Sequence, residues 1–301
     1  MSAPTDVSSL LARHGEGRGW GALARAITQV ENSPPWQVSL PPVQQPVHVV
    51  GITGPPGAGK STLTGRLIEA YAKGGARVAV LAIDPSSPIS GGAVLGDRLR
   101  METHLMGRDD VFVRSLASRG SHGAIAGATR NVARLLELSG SFDVILIETV
   151  GAGQTEVAIA ELADTIALVT VPGLGDAVQA IKAGLMEVAD MVVVNMADRP
   201  GTEETVRHLR LTLGRDLPIT TTIATEGAGV EGLREAFDER WARLCADGDL
   251  TGLRHRKRAR EAALIAEAFT RACAAQIDDP SADLNTAVKE ILEEAARRWT
   301  T

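Results

Sequence analysis

Gly54, Pro55, Pro56, Gly57, Ala58, Gly59, Lys60 and Ser61 form one unbroken run with the spacing G-x-x-x-x-G-K-[ST]. These residue types suit one task, the grip of a polyphosphate. Glycines let successive main-chain N–H groups face a phosphate without a Cβ in the way. The helix expected from Lys60 onward, through Thr62, turns its positive end toward the same anion. Lys60 sets a cation against the β- and γ-phosphates, and the Ser61 hydroxyl is a hard oxygen ligand of the kind Mg²⁺ takes.

A nucleoside triphosphate also needs its metal held and its γ-phosphate sensed. The apolar run Phe142–Glu148 ends in a carboxylate and opens Glu148-Thr-Val-Gly151. Glu148 is placed to hold a metal-bound water, and Gly151 to give its N–H to the γ-phosphate. Two more acids stand in similar settings. Asp84 ends an apolar run just before Pro85-Ser-Ser-Pro88, and Asp97 lies in the Gly-rich stretch Ser90–Arg98. That stretch reads as a loop that orders around Mg²⁺ and the terminal phosphate. The run Met191–Asn195 leads into Asn195-Met-Ala-Asp198. A carboxylate at Asp198 can accept both N–H groups on the guanine edge, a donor pair that adenine lacks. The expected nucleotides are therefore GTP and GDP.

Positioning these residues takes a parallel sheet. Apolar, β-branched runs at Val47–Thr53, Arg77–Ile83, Val111–Ser115, Phe142–Glu148, Thr165–Val171, Met191–Asn195 and Pro218–Ile223 alternate with helical patterns at Lys60–Lys73, His122–Leu138, Glu156–Leu162 and Glu203–Leu213. Near-continuous apolar strands are buried on both faces, and β/α alternation gives an α/β, doubly wound, mostly parallel sheet. Ligands of such sheets sit at the carboxyl ends of the strands, where the phosphate loop and Glu148 fall. Before the sheet, Trp20, Leu23, Ile27 and Val30 recur at helical spacing, followed by a proline-rich linker. The expected division is an N-terminal helical arm with linker, an appendage, over 1–46; a nucleotide domain over 47–245; and a helical extension over 246–301. Gly232–Cys245, at the end of the nucleotide domain, and Ala259–Ile277 and Asp283–Trp299, in the extension, read as helices, and the basic run Arg254–Arg260 as a solvated helix start.

Composition narrows the classes. The net charge of −6 argues against a general nucleic-acid binder, whose affinity rests on basic surface. No apolar run reaches the ~18 residues of a membrane span, and no secretory signal is evident at Met1–Leu11. Two cysteines, Cys245 and Cys273, read as reduced, buried thiols of a cytoplasmic protein. The six histidines are scattered, which leaves no Cys/His spacing for a transferred metal, and no D-x-H-x-x-G motif for direct cobalamin binding is present.

The motifs together resemble one family. The phosphate loop, Asp84-Pro-Ser-Ser-Pro, Ser90-Gly-Gly…Leu95-Gly-Asp97, Ser118-Arg-Gly120, Glu148-Thr-Val-Gly-Ala-Gly-Gln154 and Gly175-Asp-Ala-Val-Gln-Ala-Ile-Lys182 are similar to those of MeaB/ArgK proteins, which include the methylmalonic aciduria type A protein. These are P-loop GTPases that serve as chaperones of adenosylcobalamin-dependent acyl-CoA mutases. The resemblance implies Ser61, Asp84, Asp97 and Glu148 around Mg²⁺, with Lys60 and the amides of 57–62 on phosphates. It implies guanine contacts from Asn195, Asp198 and Ala224, and one switch at Glu148–Gln154. A second switch at Gly173–Lys182 carries Gln179 and Lys182, and Lys182 joins Lys60, Asp97 and Glu148 as a catalytic residue. It further implies slow GTP hydrolysis, a mutase partner carrying the adenosylcobalamin, and a homodimer formed through the C-terminal helices. The chain departs from the family's N-K-x-D at Met196, from Ser-Ala at Ile223-Ala224 and from D-K-T-R at Asp97-Arg-Leu-Arg100. A small-molecule kinase or ATPase of ArgK type and a nickel-insertion GTPase are the alternatives.

Overall fold

The computed structural model describes residues 20–85, 108–118, 122–149, 155–173, 188–213, 217–274 and 284–300. Seven parallel strands form one sheet: β1 (His48–Thr53), β2 (Val78–Pro85), β3 (Val111–Ser118), β4 (Val144–Thr149), β5 (Thr165–Thr170), β6 (Met191–Asn195) and β7 (Ile219–Thr222), in the order β3-β2-β4-β1-β5-β6-β7. Strand β1 is central. Ile52 pairs with Glu148 of β4 on one side and with Ala167 of β5 on the other. The phosphate loop therefore leaves the middle of the sheet's carboxyl edge, one strand away from Glu148. Every residue of β1, β4, β5 and β6 is buried, as strands covered on both faces must be.

Two apolar layers cover the sheet. On one face α2 (Lys60–Lys73) and α6 (Val230–Ala246) send Leu63, Leu67, Leu233 and Phe237 against Val50, Ile52 and Leu146. On the other, α1 (Gly21–Asn32), α3 (His122–Leu138) and α4 (Thr155–Leu162) pack Leu23, Ile27, Val132, Leu136 and Ile159 against Val49, Leu81, Ile145 and Ile147. Successive β1 residues alternate between the layers, the period-two rule of a strand. The fit between α4 and β1 is close at Gly51, where a Cβ would lie 2.7 Å from Ile159 and 2.8 Å from Ala163. A third cluster joins Leu209 of α5 (Thr202–Leu213) to Val192 and Val194.

Three expectations are corrected. The N-terminal helix is not an appendage. Leu23, Ala26, Ile27 and Val30 of α1 have no exposed surface and belong to the core, while Trp20 stacks on Phe142 at 5.1 Å. The basic run is solvated only in part: His255, Arg256, Arg258 and Arg260 are exposed, while Arg254 is half-buried and Lys257 buried. The run lies inside α7 (Asp249–Ala274), a helix that begins ten residues earlier than its apolar stripe suggests. Arg254 bonds Asp164 at 2.6 and 3.0 Å, Glu137 at 2.8 Å and the Val47 carbonyl at 2.8 Å. Those carboxylates are nearly buried, and the same guanidinium lies over Trp241, whose ring stacks on His48 at 4.8 Å. Arg254 thus locks α7 to the amino edge of the sheet. Finally, Cys273 is buried as expected but Cys245 is exposed.

The last helix, α8 (Leu284–Thr300), packs on α7 and leaves Val288 and Leu292 exposed. No helix among the described residues is long and apolar enough to cross a membrane.

Candidate nucleotide site

The phosphate loop is shaped by backbone conformations that only glycine adopts readily. Gly54, Gly57 and Gly59 all have positive φ, of 145°, 77° and 80°. At Gly54 a Cβ would lie 2.1 Å from the Val169 carbonyl oxygen, so the loop turns away from β1 against the backbone of β5. At Gly59 a Cβ would lie 2.4 Å from Asn195 Nδ2. Around Gly57 the corresponding space is open, on the rim where a phosphate would approach the amides.

Lys60 is buried, and its Nζ donates to the carbonyls of Gly54 at 2.8 Å and Pro55 at 3.0 Å. The ammonium thus lies folded over the loop. One residue on, Ser61 Oγ donates to Glu148 Oε1 at 2.6 Å, with Glu148 almost fully buried at the end of β4. Below it, the Thr149 hydroxyl donates to Thr53 Oγ1 at 3.1 Å, tying β4 to the start of the loop. A serine hydroxyl beside a carboxylate, next to a lysine, is a hard-oxygen donor set that fits Mg²⁺.

The segments expected to recognise the base meet at Asn195. This side chain donates from Nδ2 to the Ala58 carbonyl at 2.9 Å, and its Oδ1 accepts from the Ala224 amide and the Thr222 hydroxyl, each at 3.1 Å. The partners fix the amide's orientation, since a carbonyl requires the NH₂ and a main-chain N–H requires the oxygen. Asn195 therefore pins three loops together, and the Ala224 amide is committed to Asn195. Met196 follows with φ 55°, a conformation uncommon for a side chain of its size. It swings the chain into a turn closed by Arg199 N–H on the Met196 carbonyl at 3.0 Å, which leaves Asp198 exposed. Met196 also packs against the core beneath the phosphate loop.

One positioning residue carries no sequence signature. Arg66, on α2, donates from Nε to the Ala224 carbonyl at 3.1 Å and from Nη2 to the Thr225 carbonyl at 2.8 Å, while Nη1 meets Glu69 at 2.9 Å. It holds the loop after β7 against the helix that follows the phosphate loop. Read from sequence, it is one more basic residue on a helix surface.

The structure thus brings together Gly54–Thr62, Glu148, Asn195 and Ala224 at one edge. Asp84 lies at the carboxyl end of β2, two residues beyond the Ala82 that pairs with Glu148. Asp97, Gly151, Gln154, Gln179 and Lys182 lie outside the described residues, as does Arg119. Among the described residues no group of three or more His, Cys, Asp or Glu is arranged to hold a metal ion.

The parallel sheet and the glycine-shaped loop at its central strand define a P-loop nucleotide-binding protein. A search of solved structures agrees on the fold. The crystal structure of an LAO/AO transport system kinase superposes with a TM-score of 0.58 at 23% identity, covering 95% of this chain and 91% of that one. Sequence relatives go further. A Pyrococcus horikoshii protein provisionally named a GTPase is 48% identical over 234 residues, 72% of this chain and 73% of its own length. GTPase ArgK of Escherichia coli is 35% identical over 254 residues, 78% of this chain and 76% of its own. The mouse methylmalonic aciduria type A homolog, a mitochondrial protein, is 36% identical over 217 residues, 68% of this chain and 52% of its own. The family described as methylmalonyl Co-A mutase-associated GTPase MeaB matches residues 23–278. The chain belongs to that family and is a P-loop GTPase.

Proposed function

We propose that this GTPase is a nucleotide-gated chaperone of an adenosylcobalamin-dependent acyl-CoA mutase, of the methylmalonyl-CoA type or a relative acting on a similar acyl group. Membership of a family described by its association with that mutase carries the reading. Adenosylcobalamin enters only through the partner.

In this reading the amides of 57–62 and Lys60 hold the β- and γ-phosphates, and Asp198 and the Asn195-braced loop hold the guanine. Ser61 and Glu148, with Asp84 and Asp97, hold Mg²⁺, which when bound neutralises charge on the phosphate oxygens. Glu148, which accepts from the Ser61 hydroxyl, also orients water. Water attacks the γ-phosphate in line, so no side-chain nucleophile is required. Turnover is slow without a partner. The coupling residues are Gly151, Gln154, Gln179 and Lys182. In the sequence they follow β4 and β5. The two-state element is then the pair of segments that follow the γ-phosphate.

We further propose that two copies associate through the C-terminal helices. Supporting this, Val288 and Leu292 are 47% and 57% exposed one helical turn apart on α8. Light scattering at micromolar concentration is expected to give a dimer, and Leu292→Glu a monomer; a monomeric wild type contradicts the proposal.

The test of function is phosphate release from GTP with and without the purified mutase, together with retention of mutase activity during turnover. The reading predicts stimulation of hydrolysis by the mutase and slower inactivation of the mutase when GTP is present. No effect in either direction refutes it, and phosphoryl transfer to a small acceptor favours the kinase alternative.

A further inference from the structure

At the amino edge of the sheet, opposite the nucleotide site, lies a pocket of about 470 Å³ between the linker at Pro42–Pro46, α3, the end of α4 and α7. Five basic side chains, Arg130, Arg134, Arg254, Lys257 and Arg258, face two acidic ones, Glu137 and Asp164. Both carboxylates are already engaged by Arg254, at 2.8 and 2.6 Å. With all seven groups ionised the wall carries a surplus of three positive charges, in a protein whose net charge is −6. The rest of the wall is apolar, with Val43, Leu162 and Leu250 among its members.

Main-chain carbonyls help to place several of these basic groups. Arg130 donates to the Glu161 carbonyl, and Arg134 to the carbonyls of Leu40 at 3.3 Å and Pro41 at 3.2 Å. Lys257 is only 8% exposed, bonds the Ala163 carbonyl and forms no ion pair among the described residues. Burial pushes its ammonium down to about 8, against the opposing pull of Asp164, Asp190 and Glu161. A concave wall with preplaced cations and low-dielectric surroundings focuses field onto an entering anion. The volume falls in the range of ~300–1,000 Å³ typical of small-molecule sites.

We propose that this pocket binds a small organic anion, with a phosphate or carboxylate head seated among Lys257, Arg258 and Arg134 and an apolar body against Val43 and Leu250. The site joins the linker after α1 to the C-terminal helix α7, so its ligand would brace the two ends of the chain against the core.

The test is calorimetric titration of 1-naphthyl phosphate into the full chain kept saturated with Mg²⁺ and GDP, so that the phosphate loop is occupied. One saturable site is expected. Arg258→Glu, a change at an exposed position, should weaken it at least ~10-fold, as reversing a charge beside an anion does. Thr251→Trp, which fills the pocket from its rim, should abolish it, and uncharged 1-naphthol should fail to bind. Absence of saturable binding to the wild-type chain overturns the proposal. So does equal affinity for 1-naphthol, or binding indifferent to both substitutions, which would mark attachment at the phosphate loop or elsewhere.

Discussion

Asn195 is where the nucleotide site is most exposed to a single atom. Asn195→Asp keeps the side chain's shape and keeps Oδ1 as acceptor for the Ala224 amide and the Thr222 hydroxyl, each 3.1 Å away. It replaces Nδ2 by an oxygen 2.9 Å from the Ala58 carbonyl oxygen. A donor–acceptor contact becomes acceptor against acceptor, in a site where Asn195 is 2% exposed and water cannot step in. Losing a buried hydrogen bond and stranding its partner costs ~1–3 kcal/mol, and the added repulsion leaves a net of about 2–4 kcal/mol. The strain falls on Ala58, inside the phosphate loop, so part of it appears as lost preorganisation for nucleotide. With about 1.5–3 kcal/mol expressed there, GDP affinity should fall ~10- to 100-fold. Thr222→Val removes one donor to Oδ1 and leaves the contact with Ala58 intact, so it should cost only about 1 kcal/mol of stability. Equilibrium titration with a fluorescent GDP, beside urea unfolding of the same proteins, separates the two effects. A folded Asn195→Asp protein that binds GDP within twofold of wild type refutes the pinning role.

Arg66→Ala should release the loop after β7 and raise the KM for GTP ~10-fold with little change in kcat, because the loop positions the base and not the phosphates. An unchanged KM contradicts that. Arg254→Ala should destabilise the fold by about 3–5 kcal/mol, since it strands two nearly buried carboxylates, and the urea midpoint reads this directly. His48 gives a pH signature. Burial holds its imidazole down at about 4, below the usual 6.5. Between those values the unfolded chain binds the proton and the folded chain does not, so stability falls as pH drops through that window. The loss should approach ~3 kcal/mol by pH 4, and His48→Gln should flatten the profile. A variant that follows the wild-type curve shows that the loss arises elsewhere.

What the sequence revealed follows from the range of the physics involved. The strands were legible because a sheet covered on both faces demands unbroken apolar runs, as at Val144–Ile147. The phosphate loop was legible because its glycines, lysine and serine each answer a local requirement. The docking of α1 and α7 was not. The helical stripe Leu23, Ile27 and Val30 looks the same whether it faces a core or a partner, and the proline-rich linker suggested separation. Arg254 in a run of basic residues looks solvated, because the carboxylates that receive it, Glu137 and Asp164, are remote in sequence. In the sequence Asn195 reads as a contact for the base. Its work as a brace between loops depends on Ala58 and Ala224, which only the folded chain brings to it. Arg66 escaped for the same reason, since both of its acceptors are main-chain carbonyls.

The most direct test of the whole account is Mg²⁺-dependent phosphate release from GTP by the wild-type chain and by Lys60→Ala. The account predicts slow but measurable release by the wild type, a preference for GTP over ATP, and no release above background by the variant. Wild-type rates in Lys60→Ala, or turnover of ATP in place of GTP, would contradict it.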